Sequence, residues 1–485
     1  MKLNQSFFLT RFYKGVGAGS ISLIIGFFQR LLIPALSLKA WGVDFYGEWL
    51  LIYALVSNLA LSEVGSTIYV VNKLNQDFNK RNFESYRKIF QNSVLFFIFF
   101  PLILAFVLIS IISFFPEVFF SSFNYINKTV LIIVSSLLAL QVCINIPYSL
   151  LEGTYRSIGR LPRGATIANI LIFTQTLGIC IVLYFDLSPI SVALIQLIPT
   201  IVTCLVCIED INFLLPELKL FKIEKFEISI LKKIAIPSLK FFLIQLSNAI
   251  SIQGSVIIVG SLLGPTQVVV FSTMRTLGNT IKSPLGIIKN VIHPEFTRLD
   301  ALNQKYKLKI VFQFLLKTFT SISLIFSIIV IKYGSNLYTF WLKNPPYYST
   351  KVMSLILLIV AMQIISSVFS SLLMATNNHS KLSYLSIASS IILLIMGTLG
   401  ALTPYGFYGL LFGIVLAEGI LLVSLPLIAA KYFNFINPKL SLLNCSLIFI
   451  IPFSSYIGVF NWIIIFAAST WWLIGYKNFK NYKLD

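Results

Sequence analysis

Residues Leu95–Ile112 read LFFIFFPLILAFVLISII, a stretch without a single charged side chain. A helix that crosses the hydrocarbon core of a bilayer needs about 20 predominantly apolar residues. Similar stretches recur along the chain, for example Val130–Ile146 and Ile391–Leu402. Backbone groups in lipid must be paired within their own segment, so continuous apolar runs of this length predict transmembrane helices.

Composition extends this prediction to the whole chain. Of the 485 residues, 57% are hydrophobic and 11% are charged, and the mean hydropathy is +0.88. Soluble domains carry about 25% charged residues, so we predict an all-α integral membrane protein with about 14 transmembrane helices. Their approximate ranges are 16–38, 48–72, 89–115, 129–151, 166–185, 189–208, 236–260, 267–292, 311–331, 352–375, 382–402, 406–429, 440–458 and 461–476.

The basic residues predict the orientation of these helices. The formal net charge is +20, and 26 of the 37 Lys and Arg residues lie in the termini and in alternate connections between spans. Cytoplasmic loops carry an excess of Lys and Arg, so we expect both termini to be cytoplasmic. A nucleic-acid partner is not expected, because no basic domain with interleaved aromatic residues is present. The connections predicted to lie outside carry five lysines: Lys39, Lys128, Lys332, Lys343 and Lys351.

A constant offset in residue number relates the two halves of the chain. It places Gly42 on Gly264 and Gln141 on Gln363, without a gap between these positions. Six predicted spans fit within the offset, so both copies enter the membrane from the same side, as parallel repeats do. We therefore expect two pseudo-symmetric six-helix lobes around a central cavity. The predicted domains are 1–222 (helices 1–6 and a cytoplasmic linker), 223–435 (helices 7–12) and 436–485 (helices 13–14).

Ionisable residues inside the spans are the candidate functional residues, because each costs about 2.5–3.5 kcal/mol at the centre of a bilayer. Cations outnumber acids among them, so mutual neutralisation cannot account for all of the positive charge. The predicted set consists of Arg30, Lys240, Arg275, Lys282, Lys289 and Lys317, with Glu63 and Glu418 as the acids.

The eighth predicted span carries the strongest pattern. Arg275, Lys282 and Lys289 are seven residues apart and therefore lie near one helical face, which Asn279 also shares. About 8–10 kcal/mol for three central cations exceeds what the apolar residues of the span supply, so this face should meet a wet cavity rather than lipid. Pro284 should bend the helix.

Some of these residues have alternative explanations. Lys240, Lys289 and Lys317 lie near span ends, where a long side chain can reach the headgroups. Glu63 and Glu418 suit either ion coupling or a salt bridge that stabilises a lobe, and Arg30 is the candidate partner of Glu63. The cysteines all fall within predicted spans, where packing explains them. No metal site or cofactor is predicted, and no phosphate-cradling glycine motif for ATP occurs.

Short motifs resemble those of Wzx-type O-antigen oligosaccharide flippases, which belong to the multidrug/oligosaccharidyl-lipid/polysaccharide (MOP) exporter superfamily. The resemblance is carried by Trp41–Trp49 (WGVDFYGEW), by Leu263-Gly264-Pro265 with Arg275, and by His293-Pro294-Glu295. It implies two lobes with twelve or fourteen helices and a transporter rather than an enzyme. It also implies a polyprenyl-diphosphate-linked oligosaccharide as substrate, and polymerases or glycosyltransferases as partners.

The cationic spans by themselves indicate only an anionic substrate. The resemblance adds a role in O-antigen, lipopolysaccharide or capsule biosynthesis at the bacterial inner membrane. One alternative is a drug or cation antiporter of the same superfamily, which would rely on Glu63 and Glu418. Another is a membrane polysaccharide polymerase or ligase, although the predicted outside loop from Lys332 to Lys351 contains no carboxylate.

Overall fold

A computed structural model describes residues 5–63, 66–115, 124–222, 227, 229, 232, 242–343, 347–376, 378, 380–453 and 468–473. No β-strand occurs among these residues, and the chain forms two compact units, Met1–Ala249 and Ile250–Asp485. The all-α membrane fold predicted from the apolar runs is confirmed.

The described part of the first unit contains six long or medium helices. They are α1 (Gln5–Ser57), α2 (Ser66–Asn79), α3 (Phe83–Phe114), α4 (Lys128–Ser157), α5 (Leu161–Tyr184) and α6 (Pro189–Leu214). A short 3₁₀ helix, Asn58–Glu63, precedes α2. The fully buried side chains of Tyr86, Phe90 and Leu150 lie in a core to which α2, α3, α4 and α6 contribute. Burial of these large apolar groups stabilises the packing of the four helices.

The second unit is built mainly on a further series of long helices. They are α7 (Phe242–Leu263), α8 (Pro265–Asn279), α9 (Lys282–Ala301), α10 (Lys305–Leu342), α11 (Thr350–Ala375), α12 (Ser380–Leu402) and α13 (Phe407–Tyr432). The second unit begins within α7, at Ile250. Helix α14 (Pro438–Ser446) and the 3₁₀ helix Leu447–Phe453 follow. In the most apolar window of α11, 83% of the residues are buried, compared with 67% in α10 and 44% in α13. It packs against α8, α9, α10 and α13 and is thus the central helix of the unit.

Ten helices in the described part of the chain are long and apolar enough to cross a membrane. This number is smaller than the predicted 14 for identifiable reasons. The first two predicted spans join into one helical run through Gly42, and the eighth is divided between α8 and α9. The thirteenth is divided between α14 and a 3₁₀ helix, and most of the fourteenth lies outside the described residues.

Gly42 and Gly264 adopt nearly the same unusual backbone conformation. Their φ and ψ angles are 74° and −179° for Gly42, and 89° and 167° for Gly264. This region of positive φ and extended ψ is essentially restricted to glycine. Each glycine therefore lets the chain change direction between two helical segments without a connecting loop.

The helices that follow these two glycines are interrupted at positions that the same sequence offset relates, Asn58 and Thr280. In the first unit, Ser57 Oγ and Asn58 Nδ2 both donate to the Ala54 carbonyl, at 3.0 and 2.9 Å, and the α-helix gives way to the 3₁₀ helix. Side chains that bind the backbone in this way compete with the helical ladder. In the second unit the interruption follows Asn279, at Thr280.

Pro284 explains the interruption in the second unit. Proline has no N–H to donate to the carbonyl four residues earlier, and its ring clashes with that carbonyl. The carbonyl in question belongs to Thr280, where α8 ends and a turn leads into α9. The bend predicted from Pro284 is thus present, and it is strong enough to divide the predicted span.

Helices α12 and α13 approach each other through glycines. A Cβ atom at Gly400 would lie 2.2 Å from the Gly409 carbonyl oxygen, and one at Gly413 would lie 2.5 Å from the Gly397 nitrogen. We call these four residues the glycine seam. Small residues of this kind allow membrane helices to pack with their backbones in contact, which favours van der Waals attraction.

Candidate functional site

Arg275 lies on α8 and reaches the preceding helix. Its Nη1 donates to the Ile252 carbonyl and to Ser255 Oγ, both at 3.1 Å, and the guanidinium carbon lies 4.8 Å from the centre of the Phe271 ring. Every one of these contacts is to a neutral group. The side chain is half-buried, so its positive charge is partly withdrawn from water without being cancelled.

A local distortion of α7 provides the acceptor for this arginine. Residues Ile250–Gly254 form a π-helix, and Ile252 is at its centre. A π-turn displaces backbone carbonyls from the regular i→i−4 ladder, and such turns are frequent at functional sites. The hydroxyl of Ser255 also donates to the Ser251 carbonyl at 2.9 Å, which orients its oxygen toward Arg275.

Lys282 takes part in a chain of three polar side chains from three helices. Its Nζ, at the start of α9, donates to Gln363 Oε1 on α11, and Gln363 Nε2 donates to Glu418 Oε1 on α13 at 2.6 Å. Glu418 is 5% exposed, whereas Gln363 is half-buried. We call Lys282, Gln363 and Glu418 the polar triad. It joins an ammonium to a carboxylate through a neutral amide.

Asn279 and Lys289 lie on either side of Lys282 along the chain. The Oδ1 of Asn279, at the end of α8, is buried and has no hydrogen-bond partner within the described part of the protein. Lys289 is half-buried on α9, and one turn later His293 Nδ1 lies 3.0 Å from Ser371 Oγ of α11. The buried Oδ1 of Asn279 destabilises the protein unless a further hydrogen-bond donor reaches it.

The division between α8 and α9 changes the predicted stripe of cations. On an unbroken helix, Arg275, Lys282 and Lys289 would project in one direction. Instead Arg275 contacts α7, while Lys282 contacts α11. The structure therefore brings Lys282 together with Glu418 but gives Arg275 a different set of partners.

The structure places the four other predicted residues to different extents. Arg30 lies on α1 with an exposed side chain. Glu63 is the last residue of the 3₁₀ helix, but its side chain lies outside the described part of the structure, as does the whole of Lys240. The pairing of Arg30 with Glu63 remains a prediction. Lys317 Nζ lies 4.7 Å from the centre of the Trp471 ring, away from the polar triad.

Glu48 has a clear structural role that the sequence did not reveal. Its side chain is fully buried, and its two carboxylate oxygens accept the backbone N–H groups of Asn124, Tyr125 and Ile126 at 2.6–3.1 Å. Asp44, one turn earlier, accepts a 3.2 Å bond from the Tyr125 hydroxyl and raises the pKa of that phenol by its negative charge. The backbone partners of Glu48 lie far along the chain, beyond a whole helix, so no local pattern could identify them.

The connection before α11, which the charge pattern predicts to lie outside, is shorter than predicted. Helix α10 continues to Leu342, and α11 begins at Thr350. Most of the segment from Lys332 to Lys351 is therefore helical rather than a loop.

No family model matches the sequence, and no curated protein matches it. Solved structures do match along nearly the whole chain. The lipid II flippase MurJ in an inward closed conformation has a TM-score of 0.67 at 16% identity, covering 96% of this chain and 99% of that one. The fold is that of MOP superfamily transporters. An inward-facing multidrug resistance transporter of the MATE family has a TM-score of 0.60 at 16% identity, with coverages of 88% and 95%.

A third solved structure supports the same fold. It is a MOP superfamily transporter from Pyrococcus furiosus, with a TM-score of 0.58 at 15% identity, covering 87% of this chain and 94% of that one. The MOP-type fold expected from the sequence motifs is thus confirmed. Identities this low leave the substrate to be argued from this chain's own residues.

Proposed function

We propose that this protein is a membrane transporter that flips a polyprenyl-diphosphate-linked oligosaccharide from the cytoplasmic to the outer leaflet. We place it in the bacterial inner membrane with both termini in the cytoplasm, where it would serve O-antigen or capsule biosynthesis together with glycosyltransferases and a polymerase. The two six-helix lobes would alternate access to a cationic cavity, and the polyprenyl chain would remain in lipid.

The observation that carries this proposal is Arg275. Within the described part of the protein, this half-buried guanidinium is held by neutral groups, so no acid there cancels its positive charge in a medium where charge is costly. A diphosphate supplies the missing negative charge, and its oxygens match the planar fork of an arginine. Asn279 and Lys282, which border the interruption after α8, are the expected additional donors to the sugar-diphosphate group.

The fold of MurJ, a lipid II flippase, is consistent with this assignment. The MATE-like fold keeps a cation antiporter as the second candidate, and buried Glu418 is the feature that favours it. That carboxylate, however, already binds Gln363, which in turn binds Lys282. A cationic drug would have to displace an ammonium from the same network, so we favour the anionic substrate.

The test uses purified protein in liposomes. Movement of a polyprenyl-diphosphate sugar is compared with extrusion of a cationic dye, for the unmodified protein and for Arg275→Ala, Lys282→Ala and Arg275→Lys. A hydrogen bond to a charged group contributes about 1.5–3 kcal/mol, so each alanine variant should slow lipid movement by roughly tenfold to a hundredfold. Arg275→Lys should keep part of the activity, because the charge remains but two-point binding is lost.

Lys317→Ala is the matched control, since it also removes a cation from a span but stands beside Trp471 rather than the polar triad. It should move lipid at the normal rate. Dye extrusion without lipid movement, with both alanine variants active, would replace the flippase proposal with the antiporter.

A further inference from the structure

The two neighbours of Gln363 in the polar triad fix the orientation of its side-chain amide. An ammonium can only donate hydrogen bonds, and an ionised carboxylate can only accept them. Gln363 lies between one of each, so its Oε1 must face Lys282 and its Nε2 must face Glu418, which is the arrangement observed. As long as Glu418 is ionised, the amide has one satisfactory orientation, and Lys282 is held by it.

We propose that Gln363 is a positioning residue that couples proton uptake at Glu418 to anion binding at Lys282. A proton taken from water onto the Glu418 carboxylate turns that group into a donor as well as an acceptor. The amide can then turn over, with Oε1 accepting from the Glu418 hydroxyl and Nε2 facing Lys282. Two donors cannot bond to each other, so the amide no longer accepts from Lys282, and the ammonium can donate to an anion in its place.

This coupling rests on the proposed function for the identity of the anion, a diphosphate diester. By linkage it is reciprocal: protonation strengthens anion binding, and anion binding strengthens protonation by the same factor. The transporter would therefore take up its substrate together with a proton.

Among the described residues, the hydrogen bonds of Glu418 lead through Gln363 to Lys282, and the other ionisable groups on the helices packed against α13 lie outside this chain of bonds. Helix α13 packs against α11, α12, α14 and the last turns of α7. These turns of α7, residues 255–263, contain no ionisable residue. Lys431 follows Glu418 by thirteen residues, about 20 Å along a helix. The remaining ionisable groups on these helices are Lys351, Lys381, Tyr384, Tyr408, Tyr432, Lys439 and Cys445.

The first unit provides a natural comparison. The offset that places Gly42 on Gly264 also places Ala60, Gln141 and Gln196 at the positions of Lys282, Gln363 and Glu418. The amide is common to both halves, but the ammonium and the carboxylate occur only in the second. The corresponding amide, Gln141, therefore serves as a matched control for the effect of removing Gln363.

The experiment measures binding of uridine diphosphate glucose to the full-length protein in detergent, by calorimetry at about pH 5.5 and about pH 8. This probe is a diphosphate diester whose charge does not change between those conditions. The unmodified protein should bind it about tenfold more tightly at the lower pH, because a single linked proton contributes at most about tenfold per pH unit. Calorimetry in buffers of different ionisation enthalpy should show proton uptake on binding.

The variants distinguish coupling through the Gln363 amide from a direct electrostatic effect of Glu418 on Lys282. Glu418→Gln should bind as tightly at both pH values as the unmodified protein does at the lower one. Gln363→Met, which keeps Glu418 ionisable but removes the amide, should lose the pH dependence, whereas Gln141→Met should keep it. A tenfold pH effect that survives in Gln363→Met, or disappears in Gln141→Met, overturns the proposed coupling.

A pH-independent unmodified protein also overturns it. Each variant is checked for an unchanged thermal unfolding midpoint, and Gln363→Glu serves as a second variant if Gln363→Met unfolds. In Gln363→Glu a carboxylate replaces the amide, so Lys282 should be held more firmly and binding should weaken at both pH values. Failure of the flippase proposal would appear separately, as liposomes in which the unmodified protein moves no lipid although this binding pattern persists.

Discussion

Replacing Gly42 by alanine should destabilise the protein through the backbone alone. A Cβ atom at this position would have no other atom within 4 Å, so no clash is expected. The cost comes instead from φ of 74° combined with ψ of −179°, a conformation that side chains with a Cβ strongly disfavour. A residue held there costs about 1–3 kcal/mol, and we expect Gly42→Ala to fall near the upper end of that range.

Gly26 provides a control in the same helical run. A Cβ atom there also has no neighbour within 4 Å, but Gly26 lies in a regular part of α1. Alanine is favoured over glycine inside a helix by about 0.5–1 kcal/mol. Gly42→Ala and Gly26→Ala should therefore differ by about 3 kcal/mol in the free energy of unfolding, which is roughly a hundredfold in the unfolding equilibrium.

The free energy of unfolding can be measured by titrating mixed micelles with a denaturing detergent. Gly264→Ala should lose about as much stability as Gly42→Ala, because its φ of 89° and ψ of 167° lie in the same region and its Cβ would also be unobstructed. Equal stabilities for the Gly42 and Gly26 variants would refute the reasoning. A large effect at Gly42 with none at Gly264 would show that the two turns are not equivalent.

Two further predictions concern the ends of the helices. Glu48→Gln should destabilise the protein by about 2–4 kcal/mol in the same titration, because it weakens a charged acceptor for three backbone donors. Asp44→Asn, at an exposed contact, should cost less than about 1 kcal/mol. A larger loss of stability in Asp44→Asn than in Glu48→Gln would contradict the assigned roles. Cysteines substituted for exposed Lys80 and Lys305 in a Cys-free background should be shielded from an impermeant thiol reagent in intact cells, whereas one at Lys343 should react; labelling of the first two would reverse the predicted orientation.

The sequence predicts the helical membrane fold well because apolar length is a strong signal. Where the prediction and the structure differ, the cause is a polar or conformationally special residue within an apolar run. Ser57 and Asn58 interrupt a helix by binding a backbone carbonyl, and the length of the apolar run does not predict this interruption. Pro284 was visible in the sequence, but only the structure shows that it divides the span rather than curving it.

The candidate site was predictable residue by residue but not as an arrangement. Burial cost singled out Arg275, Lys282 and Glu418, because charges in apolar runs are rare. Gln363 attracted attention only as a match in the repeat, since a neutral amide carries little cost. Its importance depends on contacts with two helices that are distant in the chain. Tertiary contacts of this kind leave no periodic signal in a single sequence.

The glycine seam has a mechanical consequence for the second unit. Two helices whose backbones touch cannot slide or separate without losing contact along the whole seam, and Ser389 Oγ adds a 2.7 Å bond across them to the Ala417 carbonyl. Helices α12 and α13 should therefore move as one stiff lever, with Glu418 fixed next to that bond. Any shift that separates Gln363 or Lys282 from the Glu418 carboxylate must therefore come from α11 or α9, and the interruption before α9 makes α9 the easier of the two to displace.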